Sequence, residues 1–137
     1  MSRKTPEALM AKASQALVSA QTLLDLGDAD GASNRAYYAM FDAAQAALLI
    51  TGTGAASADL VGRTHRGLMQ AFSAQLVKDG PVSKDLGRQL KRAEELRLMA
   101  DYNGESVDLP VATELVAQAR GFVQAMQALF FDVSGQP

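Results

Sequence analysis

Apolar side chains recur every three or four residues along almost the whole chain, and no stretch alternates with the period of two that a half-buried strand requires. The first run is Leu9, Ala13, Ala16, Leu17, Ala20 and Leu24. It opens at Thr5-Pro6-Glu7, a capping hydroxyl, a proline for the first helical turn and an acid near the positive end of the helix dipole, and it closes at Gly27. After "GDADG", a turn or a new cap, a second run passes through Ala36, Met40, Ala43, Ala47 and Ile50 and stops at "TGTG". Residues 51–62, rich in Gly, Ala, Ser and Thr, predict a loop. Thr64 then caps a third helix with Leu68 or Met69, Phe72 and Leu76 on its buried stripe, ended by "KDGP". Ser83 opens a fourth, with Leu86, Leu90, Ala93 and Leu96 on one face, which reaches about Tyr102 before the turn "NGESVD". Asp108 precedes the last, which displays Val111, Leu115, Ala119, Phe122, Met126 and Leu129 or Phe130. The pattern predicts an all-α bundle of five helical stretches with short connections, the first two long and antiparallel. At 137 residues the chain is long enough for one hydrophobic core, and a single domain over 1–137 is expected.

Composition narrows the chemistry. The absence of cysteine excludes disulfides, thiolate zinc sites and cysteine nucleophiles, and a single histidine, His65, removes multi-histidine metal sites. No metal and no cofactor are expected. No apolar run approaches the roughly 20 residues needed to span a bilayer, and the N-terminus lacks the apolar segment of a secretory signal, so the expected location is cytoplasmic and away from membranes. The formal net charge of −2 is unevenly placed: residues 63–97 hold eight basic against four acidic side chains, whereas both flanks are acidic. Long helices need solvated faces, which accounts for such a segment; a surface that meets phosphates accounts for it equally.

Two polar constellations interrupt the apolar stripes. In "NRAYYAMFDAA" the spacing i, i+3, i+7 puts Arg35, Tyr38 and Asp42 on one helical face. A guanidinium there is a bidentate clamp for phosphate, and a neighbouring phenol donates a hydrogen bond or stacks on a base; an Arg35–Asp42 ion pair satisfies the same spacing. Tyr37 falls off this stripe and reads as a core residue. In "ELRLMADYN" Arg97 and Asp101 stand at i and i+4, the spacing of a surface ion pair, and Tyr102 follows as the chain leaves the helix. His65 lies in the first turn of the third helix between Arg63 and Arg66. A helix N-terminus and two cations disfavour the imidazolium, which gives either a neutral ring able to accept a proton or a ring that only caps and packs.

Taken in order, "NRAYYAMFDAA", a Gly-rich loop, "THRGLMQAF", "LRLMADYN" and a final amphipathic helix resemble the HEPN superfamily of small prokaryotic helical proteins. The branch most similar carries R-x-x-Y-A-x-F in its second helix and R-x-x-A-D-Y near the end of its fourth, and the match runs from about residue 8 to residue 130. The resemblance implies a homodimeric, up-down helical bundle of four main helices plus a short helix, with an RNA- or nucleotide-directed role in a toxin–antitoxin or defence setting, encoded with a small nucleotidyltransferase as partner. Many HEPN proteins are metal-independent endoribonucleases with an arginine followed, four to six residues later, by a histidine. There arginine stabilises the charge of a phosphorane-like transition state and histidine handles the proton of the 2′-hydroxyl. This chain departs from that pattern: Asp42 lies seven positions after Arg35, Asp101 and Tyr102 follow Arg97, and Arg63 precedes His65 by only two. An aspartate in that place serves as a base and almost never as an acid at neutral pH. The resemblance nominates Arg35, Asp42, His65, Arg97 and Asp101 as catalytic residues and Tyr38, Tyr102, Arg63 and Arg66 as ligand-binding ones. Tyr102 is also the first choice for a tyrosine modified by a partner. Three readings stand: a metal-independent endoribonuclease, a non-catalytic dimeric module that binds a nucleotide or a protein, or a purely structural helical dimerisation domain.

Overall fold

The computed structural model describes residues 5–52, 64–102 and 104–131; most of the predicted loop over 51–62, together with Arg63, lies outside them. Helix α1 spans Pro6–Asp25, and its Thr5 cap accepts a hydrogen bond from the Ala8 N–H at 3.0 Å. It ends because Gly27 adopts φ +84°, a conformation open to glycine, which lets the N–H groups of Gly27 and Asp28 close onto the carbonyls of Leu24 and Leu23. Asp28 then caps α2, Ala29–Thr51, by accepting from the Gly31 N–H at 2.8 Å. So short a link folds α2 back antiparallel along α1.

Helix α2 is the axis of the molecule and touches all four other helices. That position explains why it is buried almost all round: Ala32, Ala36, Ala39, Met40, Ala43, Ala46 and Ala47 have essentially no exposure. Alanine at these positions lets neighbouring backbones approach closely. Ile50, placed by periodicity on the buried stripe, is exposed; the buried side chain of that last turn is Leu48.

Helix α3, His65–Ala71, begins at Thr64, whose hydroxyl accepts from the Gly67 N–H at 2.8 Å, and continues as a π-helical stretch over Phe72–Lys78. Leu68, Phe72 and Leu76 are its buried stripe, as the spacing predicts, with Met69 only partly covered. Helix α4, Lys84–Tyr102, starts where Ser83 Oγ accepts from the Leu86 N–H, and buries Leu90 and Ala93. Helix α5, Leu109–Met126, runs on into a π-helical turn, Gln127–Phe131. A π turn takes up one more residue than an α turn, so the stripe of α5 is carried on by Phe130 and Phe131 while Leu129 faces outward. Phe72 and Phe122, their ring centroids 5.7 Å apart, join α3 to α5 in the core. Asp30 Oδ1 accepts from the Val107 N–H at 2.7 Å and ties the α4–α5 connection to the start of α2. Among the described residues there is no strand, and no helix is long and apolar enough to cross a membrane.

Candidate functional site

One stretch of α2 presents Arg35, Tyr37, Tyr38 and Phe41, the cap at Thr64 sets His65 as the first residue of α3, and the second half of α4 carries Glu94, Arg97 and Asp101. These three helices bring their polar groups together around one set of rings. His65 packs on Phe41 with centroids 4.4 Å apart and meets Tyr37 and Tyr38 at 5.7 Å each. The two tyrosines touch edge to face at 5.0 Å. Arg97 lies 5.0 Å from the centroid of Tyr37 and 5.9 Å from that of Tyr38, and Arg35 lies 5.2 Å from the Tyr38 centroid. The arginines of both sequence motifs therefore flank the same phenol ring within one chain.

Hydrogen bonds give the cluster a direction. The Tyr37 hydroxyl and His65 Nδ1 are 2.9 Å apart. Arg97 Nη1 donates to Asp101 Oδ2 at 2.9 Å. The Arg97 side chain is only 10% exposed against 39% for Asp101, so the pair expected on the surface is in fact buried on its cationic side. The Arg97 Nε is buried with no hydrogen-bond partner among the described residues, an unusual state for a charged donor. Burial pushes the Tyr37 phenol well above its ordinary value, helped by the negative charge of Glu94 and opposed by Arg97. The His65 imidazole is held below its ordinary value, first by burial and then by Arg97, with Glu94 opposing. The direction is that expected from the helix terminus and the flanking arginines, but the cause lies in burial and in a cation from another helix.

Of the residues nominated from sequence, Arg35, Tyr38, His65, Arg97 and Asp101 meet here. Asp42 sits half-buried one turn beyond Tyr38 on α2, and Arg66 is exposed on α3 and makes none of the cluster's ring or ion-pair contacts. Tyr102, 75% exposed, stands at the end of α4. Arg63 is outside the described residues. Tyr37 and Glu94 were not among the nominees. Tyr37 is the core residue its position suggests, with 0% exposure, yet its hydroxyl belongs to the site. A tyrosine at a fully buried position is itself a signal, since its hydroxyl needs a partner that phenylalanine would not.

A second basic feature lies farther back along α4. Lys84, Arg88 and Lys91, one face of the helix, line a cleft of about 250 Å³ with Ser73 and Val77 of the π-helical stretch. Gly87 permits this approach, because a Cβ there would come within 3.2 Å of Val77 Cγ2. Among the described residues no cluster of three or more metal-ligating side chains occurs.

The HEPN domain matches residues 6–129. The chain belongs to the HEPN family. Among similar proteins, UPF0332 protein glr0978 of Gloeobacter violaceus is 36% identical over 130 residues, covering 91% of this chain and 98% of that protein. A UPF0332 protein of Thermotoga maritima is 33% identical over 124 residues, covering 89% and 88%. A protein of Methanocaldococcus jannaschii named "Putative toxin MJ0605" is 28% identical over 125 residues, covering 91% and 88%. In this HEPN chain the ring cluster is built from the two segments that carry the resemblance, R-x-x-Y-A-x-F and R-x-x-A-D-Y, together with the histidine of "THRGLMQAF".

Proposed function

We propose that this HEPN protein is the RNA-directed component of a toxin–antitoxin or defence pair in the cytoplasm, acting as a homodimer restrained by a small nucleotidyltransferase. The observation that carries the reading is the convergence of Arg35, Arg97 and His65 on the Tyr37–Tyr38–Phe41 rings. Two guanidiniums beside clustered aromatic rings are what a phosphodiester and its base require: charge and bidentate donors for the phosphate, and the partly exposed rings of Tyr38 and Phe41 for the base. Arg97, with a buried Nε that has no acceptor among the described residues, is the group best placed to gain from an anionic oxygen. In cleavage it would stabilise the extra negative charge of the phosphorane-like transition state. The basic cleft at Lys84, Arg88 and Lys91 supplies further phosphate contacts along the same helix, which favours a polymer over a mononucleotide. The toxin name of one relative supports the setting. Tyr102, exposed at the end of α4, is the tyrosine a nucleotidyltransferase partner could reach.

The test is cleavage of end-labelled single-stranded RNA in the presence of EDTA by wild type, Arg35→Ala, Arg97→Ala and His65→Ala. Cleavage by wild type, lost in the Arg97 variant and reduced in the other two, is the expected result. A second reading, a binding module without chemistry, is favoured by the absence of histidine four to six residues after either motif arginine. It predicts RNA binding that depends on Arg35 and Arg97 with no cleavage. RNA binding and cleavage both indifferent to these substitutions would remove the site from either reading.

A further inference from the structure

A buried phenol has one proton to place and an oxygen that can accept. Tyr37 is fully buried, and the donors and acceptors that reach its hydroxyl can be enumerated among the described residues. Arg97 lies over the Tyr37 ring and has donors only, so it cannot take the phenol proton. Tyr38 meets Tyr37 ring edge to ring face, Phe41 offers no acceptor, and Glu94 acts on the phenol through its charge and not through a hydrogen bond. His65 Nδ1, at 2.9 Å, is what remains to receive the Tyr37 proton. Were Nδ1 protonated instead, it would donate to the phenol oxygen while the phenol's own O–H stayed buried without an acceptor among the described residues, an arrangement disfavoured by roughly tenfold or more.

We propose that Tyr37 is a positioning residue that donates to His65 Nδ1 and holds the ring as the Nε2–H tautomer, so that His65 offers a neutral N–H to an anionic oxygen. The polarity runs from Tyr37 to His65, and it is fixed before any ligand arrives. A ring held in this way cannot take the proton of a substrate hydroxyl at Nε2, because that nitrogen already carries one. Its role in the site is recognition of a phosphate or stabilisation of developing negative charge, in concert with Arg97. The identity of the ligand rests on the function proposed above; the tautomer is a property of the free protein.

His65 is the only histidine in the chain, so untagged protein labelled with nitrogen-15 gives a single imidazole spin system. A long-range proton–nitrogen correlation spectrum, recorded well above the ordinary imidazole pKa, should show Nδ1 as an unprotonated, hydrogen-bond-accepting nitrogen and Nε2 as an N–H. Tyr37→Phe keeps the ring and removes the donor, and should lower the ratio of Nε2–H to Nδ1–H by about tenfold. An Nδ1–H ring in wild type overturns the proposal, as does an unchanged ratio in a folded Tyr37→Phe. If that variant does not fold, the wild-type tautomer decides alone. Titration with inorganic phosphate adds a second readout: the Nε2 resonance should move in wild type and stay still in Arg97→Met. A wild-type Nε2 unmoved at saturating phosphate binding would overturn the recognition role. An Nε2–H ring that responds to phosphate, in a protein that neither binds nor cuts RNA, would support this inference while refuting the RNA-directed function.

Discussion

The ion pair between Arg97 and Asp101 has unequal partners, and that inequality makes a prediction that separates a ligand-facing arginine from a structural one. The guanidinium is 10% exposed and the carboxylate 39%, with 2.9 Å between them. Arg97→Met keeps the apolar stem in place and removes the charge. It forfeits contacts over two tyrosine rings worth about 0.5–2 kcal/mol and a half-solvated ion pair worth about 0.2–1 kcal/mol. It also relieves the desolvation of a buried cation, which in proteins amounts to several kcal/mol per ion and is incompletely offset here because Nε has no acceptor among the described residues. The two sides nearly cancel, and the carboxylate left behind is wet. The expected change in stability is within about 1 kcal/mol in either direction.

Asp101→Ala does the opposite. It strands the buried guanidinium without its carboxylate, and the loss of a charge-assisted hydrogen bond, reduced by the solvent around Asp101, should cost about 1–2 kcal/mol. Asp101→Ala is therefore the more destabilising substitution, although Arg97 is the larger and more deeply buried side chain. In the double variant the carboxylate has no cation to compensate, so its stability should fall near that of Arg97→Met. Urea unfolding of the four proteins, compared at an unchanged denaturant slope, measures these differences directly. RNA affinity, followed in parallel, should be lost in Arg97→Met. A loss of 3 kcal/mol or more in Arg97→Met beside a negligible one in Asp101→Ala would refute the reasoning and make Arg97 a structural residue.

Two further outcomes follow from the site and its approach. Replacing Lys84, Arg88 and Lys91 together with Gln should lower the slope of log affinity against log salt for single-stranded RNA by about 2, with the fold intact; an unchanged slope would take this cleft out of the RNA path. His65 is held below its ordinary value in the folded protein, so between that lowered pKa and about 6.5 the unfolded chain binds more protons. Stability that is fully present above about pH 6.5 should be lost as the pH falls through this window, and His65→Gln should flatten that limb of the curve; a wild type that gains stability on acidification there, relative to His65→Gln, would reverse the sign.

The helices were legible because their signals are local. Thr5, Asp28, Thr64 and Ser83 each accept the backbone hydrogen bond that their side chains advertise, and Gly27 and Gly52 take the positive φ that ends a helix. The π-helical stretches had no such signal, since a 3.6-residue period cannot show where a turn takes up one residue more. The site was legible only in part, for a related reason. Helical spacing relates residues on one helix, and it found the Arg35–Tyr38 contact and the Arg97–Asp101 pair. It could not find the Tyr37–His65 hydrogen bond, which joins α2 to α3, or the approach of Arg97 to both tyrosines, which joins α4 to α2. The same limit bears on the histidine that the HEPN nuclease pattern places after an arginine on one helix. In this chain the ring arrives from the start of α3, and Arg97 and His65 meet on the face and the hydroxyl of Tyr37. An absent sequence spacing is thus compatible with an arginine and a histidine in one site, and the polarity of the Tyr37 hydrogen bond, more than the spacing, determines which chemistry that histidine can perform.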